Sequence, residues 1–237
     1  MKLTPRLQAI AELIPPGSVV ADIGTDHAYL PVYLLQEQIC RRAIAADVKE
    51  APLAQAQETV AAFNCHQKID LRLGDGLDVL KEEDQVDTIV IAGLGGRTIV
   101  RILEKGQEKL KNIKRLILQP MNEAGCLRLY LAKNGFAIVT ETLVTEGKHL
   151  YEIILAKPGQ EQEKDPFRLA LGPRLLENNP PLLPVLLQEK IRKLRTVYRS
   201  LQRAQKEDVS KKLHKVQKEL TCLQEVLDHA GKRTDNH

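Results

Sequence analysis

Four short stretches of the chain put acids and glycines where a nucleotide-like ligand could be held. Residues 21–30 read ADIGTDHAYL: an apolar run ending in Asp22, a single Gly24, then Thr25, Asp26 and His27 in a polar turn. Asp47 closes the next apolar run, spaced to accept hydrogen bonds from a ribose diol. Gly74-Asp75-Gly76 closes a third and offers a carboxylate to the exocyclic amine of an adenine. Ala92-Gly93-Leu94-Gly95-Gly96 closes a fourth, and its glycines let the backbone come close to a ligand. Asp26 bears on which ligand this is. In a dinucleotide fingerprint the second glycine lies against an anionic pyrophosphate, which a carboxylate would repel. S-adenosylmethionine has no phosphate and carries a cationic sulfonium and ammonium, so acids at Asp22 and Asp26 are tolerated or help. The electrostatics favour S-adenosylmethionine over a nicotinamide dinucleotide.

These residues must be positioned by strands. Apolar runs rich in β-branched residues at Val19–Ile23, Ala43–Asp47, Ile69–Leu73, Thr88–Ala92 and Arg115–Leu118 alternate with helical patterns near 28–38, 51–63, 97–105 and 123–133. That alternation predicts an open, mostly parallel α/β sheet with helices on both faces. Phe136–Val144 and Leu150–Ala156 flank the turn Glu146-Gly147-Lys148 with no crossover helix, so the sheet should end in an antiparallel hairpin. A Rossmann-like methyltransferase sheet has this ending, whereas a dehydrogenase half ends on a sixth parallel strand. Each acid or glycine also has a plainer local role, as a helix cap or a tight turn. Four successive strands ending in Asp or Gly at one sheet edge argue for a shared ligand instead.

Past residue 159 the pattern changes. Residues 160–186, with Pro166, Gly172-Pro173 and Asn178-Asn179-Pro180-Pro181, read as a Pro-rich linker with a helical turn around Arg168–Leu171. Leu187, Ile191, Leu194, Tyr198 and Leu201 then step by heptad spacing, as do Val209, Leu213, Val216, Leu220, Leu223 and Leu227. The phase is lost between the two series. The simplest arrangement over 187–230 is an antiparallel coiled-coil hairpin turning near Gln205 to Asp208; one phase-shifted helix dimerising between chains is the alternative. Residues 1–159 hold 19 basic and 20 acidic side chains, whereas residues 189–218 hold 11 and 3. A basic module is thus joined to a neutral one of residues 1–159, and Arg192, Arg195, Arg199, Lys211 and Lys215 are candidate phosphate contacts.

The composition excludes several classes. With 237 residues, 43% hydrophobic and 28% charged, the chain suits a globular protein with a sizeable core. No apolar run approaches the roughly 20 residues of a membrane span, and the N-terminus lacks the features of a signal peptide, so a cytoplasmic location is expected. Cys40, Cys65, Cys126 and Cys222 form no CxxC and have no histidine at ligand spacing, so neither a disulfide framework nor a metal site is expected. With three Phe, five Tyr and no Trp, a stacking platform for single-stranded nucleic acid is not expected either.

The series ADIGTDHAYLP, GDGL, IAGLGG and LILQP, followed by GKHLYEI and the segment LALGPRLLENNPPLLP, resembles the bacterial tRNA (adenine-22-N1)-methyltransferase family over essentially the whole chain. Asp26-His27, in place of the usual glycine, makes the first string the most specific. The resemblance implies a class I S-adenosylmethionine enzyme acting on N1 of an adenine in the D-loop region of tRNA. It assigns Asp22, Gly24, Thr25, Asp26 and His27 to the methionine side of the cofactor, Asp47 and Val48 to the ribose, and Asp75 and Gly76 to the adenine. Ala92, Gly93 and Leu94 complete the cofactor set, and Gly93–Gly96 border the transferring methyl and the target base. Catalysis falls to Asp26, His27 and Gly95, and substrate contacts to Gly96, Gln119, Pro120 and Asn122 together with the basic tail. Leu94 stands where the family often has Met, and Met121 where many relatives have Asn.

Adenine N1 has a free lone pair and no proton to lose, so its methylation needs positioning more than a general base. The product base is cationic. A carboxylate at Asp26 would stabilise the arriving charge, with His27 as its partner; alternatively both residues only orient cofactor and loop. Reaching N1 requires unpairing or unstacking the adenine, so flipping into a pocket near Gly93–Gly96 is expected. The partner is tRNA, the chain acting as a monomer or weak dimer, with no membrane and no metal. A small-molecule methyltransferase with a dimerising coiled coil, and a catalytically silent adaptor, are the competing readings.

Overall fold

The structure, a computed structural model, describes residues 1–203 and 209–234. The expected turn near Gln205 to Asp208 lies outside the described residues. The strands are β1 (Ser18–Ile23), β2 (Cys40–Asp47), β3 (Ile69–Leu73), β4 (Thr88–Leu94), β5 (Arg115–Pro120), β6 (Phe136–Glu146) and β7 (His149–Pro158). The helices are α1 (Pro5–Ala11), α2 (Tyr29–Gln36), α3 (Glu50–Ala62), α4 (Gly96–Lys105), α5 (Ala124–Lys133), α6 (Pro166–Leu171), α7 (Pro173–Asn178), α8 (Leu183–Arg203) and α9 (Val209–Thr234). Two compact units meet at Arg174 and Leu175.

In the first unit all seven strands form one sheet in the order β3-β2-β1-β4-β5-β7-β6. Strands β1 to β5 are parallel, and β7 runs antiparallel to both β5 and β6. The predicted Rossmann-like sheet with its terminal hairpin is therefore present. Every residue of β1 is buried, as a central strand covered on both faces must be. Alternation sends Val19, Ala21 and Ile23 into one core layer with Ile99, Leu103 and Leu127 of α4 and α5. It sends Val20 into the other, with Ile10, Leu30, Leu34 and Val60 of α1, α2 and α3. Chain order reverses between β1 and β4, so the crevice at their carboxyl ends is the switch point where such sheets hold ligands.

The hairpin is tied to α5 by charge. Arg128 is fully buried; its Nε donates to Glu141 at 2.6 Å and its Nη2 to Glu152 at 2.8 Å, while Nη1 donates to the Ala170 carbonyl at 3.2 Å. Glu161, also buried, accepts from the backbone N–H of Ile138 and from Arg174 Nη2. These bonds hold residues 160–174 in the first unit, where the chain forms α6 and enters α7.

In the second unit α8 and α9 pack together. Asn179, ahead of α8, donates to the carbonyl of Ala230 near the end of α9 at 3.4 Å, which sets the helices antiparallel within one chain. Ile191 and Leu223 of the two heptad series are buried, while Leu194, Tyr198, Leu213 and Val216 are half-buried. Among the described residues no helix is long and apolar enough to cross a membrane, and no cluster of His, Cys, Asp and Glu is arranged to hold a metal ion.

Candidate active site

A cavity of about 670 Å³ opens at the β1/β4 switch point, well inside the range of roughly 300–1,000 Å³ usual for small-ligand sites. Every residue of the cofactor set lines it: Asp22, Gly24, Thr25, Asp26 and His27 after β1, Asp47 and Val48 after β2, Asp75 and Gly76 after β3, and Ala92, Gly93 and Leu94 at the end of β4. Gly95, Gly96, Gln119, Pro120 and Asn122 do not line it. Gly96 is a packing glycine: a Cβ there would lie 2.6 Å from the Glu123 carbonyl oxygen, and its N–H donates to the Asn122 carbonyl. Asn122 is exposed, with its Oδ1 3.2 Å from where a Cβ on Gly95 would stand. Gln119 and Pro120 are buried behind the cavity wall. In the second unit Arg192, Arg195 and Arg199 line a groove of about 310 Å³ between α8 and α9, with Gln224 and Leu227 opposite; Lys211 and Lys215 are exposed outside it.

Part of the loop after β1 spends its amides inside the protein. The N–H groups of Gly24 and Thr25 both donate to the Ala46 carbonyl at 2.8 and 3.0 Å, and that of Ala28 donates to the Thr25 carbonyl. These three amides are consumed within the protein. Carboxylates face the cavity instead. Asp22 is only 6% exposed and accepts from Thr25 Oγ1 at 2.7 Å. Burial pushes its pKa up to about 6, against the pull of the Thr25 hydrogen bond and of Arg6. Asp47 uses one oxygen to accept from the Lys49 N–H, and Asp75 accepts from Lys105.

Asp26 and His27 occupy a strained turn. Asp26 at φ +46° and Ala28 at φ +54° are both left-handed without being glycine, a conformation costing on the order of 1–3 kcal/mol each and concentrated at functional sites. The turn leaves the Asp26 carboxylate 73% exposed, 3.7 Å from His27 Nε2. It also stacks the His27 ring on Tyr29, with centroids 5.0 Å apart and planes 11° from parallel.

Several cavity residues were not foreseen. Thr4 caps the N-terminal helix α1, which supplies Arg6 and Leu7; Tyr29 comes from α2, Arg101 from α4 and Tyr151 from β7. Tyr29 was legible inside the ADIGTDHAYLP string. Tyr151 was legible in the same way inside GKHLYEI, whereas Arg6 carried no signal, because it stands ahead of the first strand and reaches the cavity only through the fold.

The sheet order, the switch-point cavity and the carboxylates that line it define a class I S-adenosylmethionine-dependent methyltransferase. The acids suit a sulfonium and an ammonium, and Asp47 and Asp75 suit the adenosine. Within that class the chain belongs to the TrmK family, tRNA (adenine(22)-N(1))-methyltransferase, whose model matches residues 20–225. It is 37% identical over 236 residues to the tRNA (adenine(22)-N(1))-methyltransferase of Bacillus subtilis, covering 97% of this chain and 98% of that one. The crystal structure of the B. subtilis m1A22 tRNA methyltransferase TrmK superposes with a TM-score of 0.89 at 34% identity, over 95% of this chain and 99% of the other. A Streptococcus pneumoniae relative solved in complex with S-adenosyl-L-methionine superposes with a TM-score of 0.86 at 35% identity, over 95% and 100%.

Proposed function

We propose that the chain methylates N1 of adenine 22 in tRNA, with the switch-point cavity as its catalytic centre and the basic groove of the α8–α9 hairpin as a docking surface for the tRNA backbone. S-adenosylmethionine, when bound, supplies an electrophilic methyl group on a sulfonium. Asp22 holds the cationic end of the cofactor, Asp47 the ribose diol and Asp75 the adenine edge. Asp26, exposed into the cavity, is placed to stabilise the positive charge that the target base acquires, and His27 orients that carboxylate. Adenine N1 carries a free lone pair, so no residue has to remove a proton from it before it could accept the methyl group. The observation that carries this reading is a switch-point cavity lined by Asp22, Asp26, Asp47 and Asp75, in a chain matched along nearly its whole length by one family. tRNA is matured in the cytoplasm, and the chain acts there as a monomer or weak dimer.

Primer extension on tRNA transcripts tests it. Reverse transcriptase should arrest at adenine 22 after incubation with the chain and S-adenosylmethionine, and Asp26→Ala should abolish the arrest while melting like the parent. An arrest that persists when adenine 22 is replaced would overturn the substrate assignment.

A further inference from the structure

The register between β4 and β5 slips between Ala92 and Leu94, leaving Gly93 as the extra residue of a bulge at φ +77°. A bulge residue loses its ladder partner, and its N–H must be satisfied elsewhere. Here it donates to the side-chain Oε1 of Gln119, on β5, at 3.1 Å. The same oxygen accepts from Arg6 Nη1 at 2.8 Å, so both of its lone pairs are used and the amide is held in one orientation. Arg6 is itself fixed from two further elements. Its backbone N–H donates to Glu146 Oε2 at 3.1 Å, and its guanidinium lies 5.5 Å from the centroid of the Tyr151 ring. Side chains and backbone more than a hundred residues apart thus converge on one glycine amide at the cavity wall.

We infer that Arg6 is a positioning residue for methyl transfer: through the Gln119 amide it holds the Gly93 bulge, and with it the Gly93-Leu94 loop at the cavity wall against which the target adenine is presented. This rests on the assignment of that loop to the site of methyl transfer. A charge-assisted hydrogen bond to an acceptor locks it more firmly than a neutral one, which is the use of an arginine behind a glutamine. Gln119 accordingly acts on the substrate through Gly93 rather than by touching it.

The test is single-turnover methyl transfer to tRNA at saturating S-adenosylmethionine and tRNA, with both dissociation constants and the melting temperature measured for each variant. Arg6→Ala and Gln119→Leu should each slow the chemical step by about 10- to 100-fold. The double variant should be no slower than the worse single one, and both dissociation constants should stay within about threefold. Gln119→Glu, which keeps an acceptor for both donors, should retain most of the rate, separating the clamp from general loss of packing. Rates within twofold of the parent, multiplicative effects in the double variant, or a loss confined to cofactor affinity would each overturn the proposal. Gly93→Ala separates the layers. If it slows the step while the Arg6 and Gln119 variants do not, the clamp fails and the loop assignment stands; if it leaves the rate unchanged, the loop assignment fails and the clamp with it.

Discussion

Asp22 is a carboxylate in a place that resists its ionisation, and its cost to the ligand-free protein can be measured. Its pKa of about 6 in the folded chain lies above its ordinary 3.8. The native state therefore holds more protons than the unfolded state between those two values, and stability falls as pH rises through about 6. At pH 8 the buried anion costs on the order of 2–3 kcal/mol. Asp22→Asn should stabilise the ligand-free protein by that order in urea melts at pH 8, with the gain shrinking toward pH 4. The same substitution should weaken S-adenosylmethionine binding at least about tenfold by calorimetry, because a cationic ligand loses its counter-charge. A variant less stable than the parent at pH 8 would show that ionised Asp22 is not a liability. The identity of Asp22 was legible from its place at the end of an apolar run. Its altered proton affinity was not, because desolvation depends on what α1, α2 and β4 bring around it.

At the scale of elements, the parallel strands were plain in the sequence, since continuous β-branched runs suit only a sheet covered on both faces. The hairpin was legible from its turn, where Gly147 takes φ +60°. What fastens the hairpin was not. Arg128 on α5, Glu141 on β6 and Glu152 on β7 look like ordinary surface charges in sequence and form a buried cluster in the fold. Arg128→Met should destabilise the protein by about 3–5 kcal/mol in chemical denaturation, because both carboxylates lose their arginine. Replacing Glu141 and Glu152 by Gln in the same variant should recover a large part of that loss; no recovery would mean that packing, not charge, dominates. Gly96 carries the same lesson. It reads as a base-facing glycine, yet its missing side chain makes room for the Glu123 carbonyl.

Across the whole molecule, a neutral catalytic unit is joined to a basic helical hairpin, and the charge division predicts how tRNA affinity responds to salt. Log affinity should fall linearly with log salt. Replacing Arg192, Arg195 and Arg199 together by Glu should lower tRNA affinity at least about tenfold at 0.1 M salt and make the slope shallower by about 3, while S-adenosylmethionine affinity is unchanged. An unaltered slope in filter binding would remove the hairpin from the docking surface. The sequence by itself determined the fold class, the division of charge and the strand-end residues that line the cavity, because each rests on local pattern: apolar runs, heptads, and acids or glycines at strand ends. Tertiary structure alone decided that the Gly24 and Thr25 amides are consumed internally, that Asp22 is desolvated, and that Arg6, Gln119 and Gly93 meet. Those features depend on side chains brought together from distant parts of the chain, where the strength of a charge or hydrogen bond is set by its surroundings rather than by its neighbours in sequence.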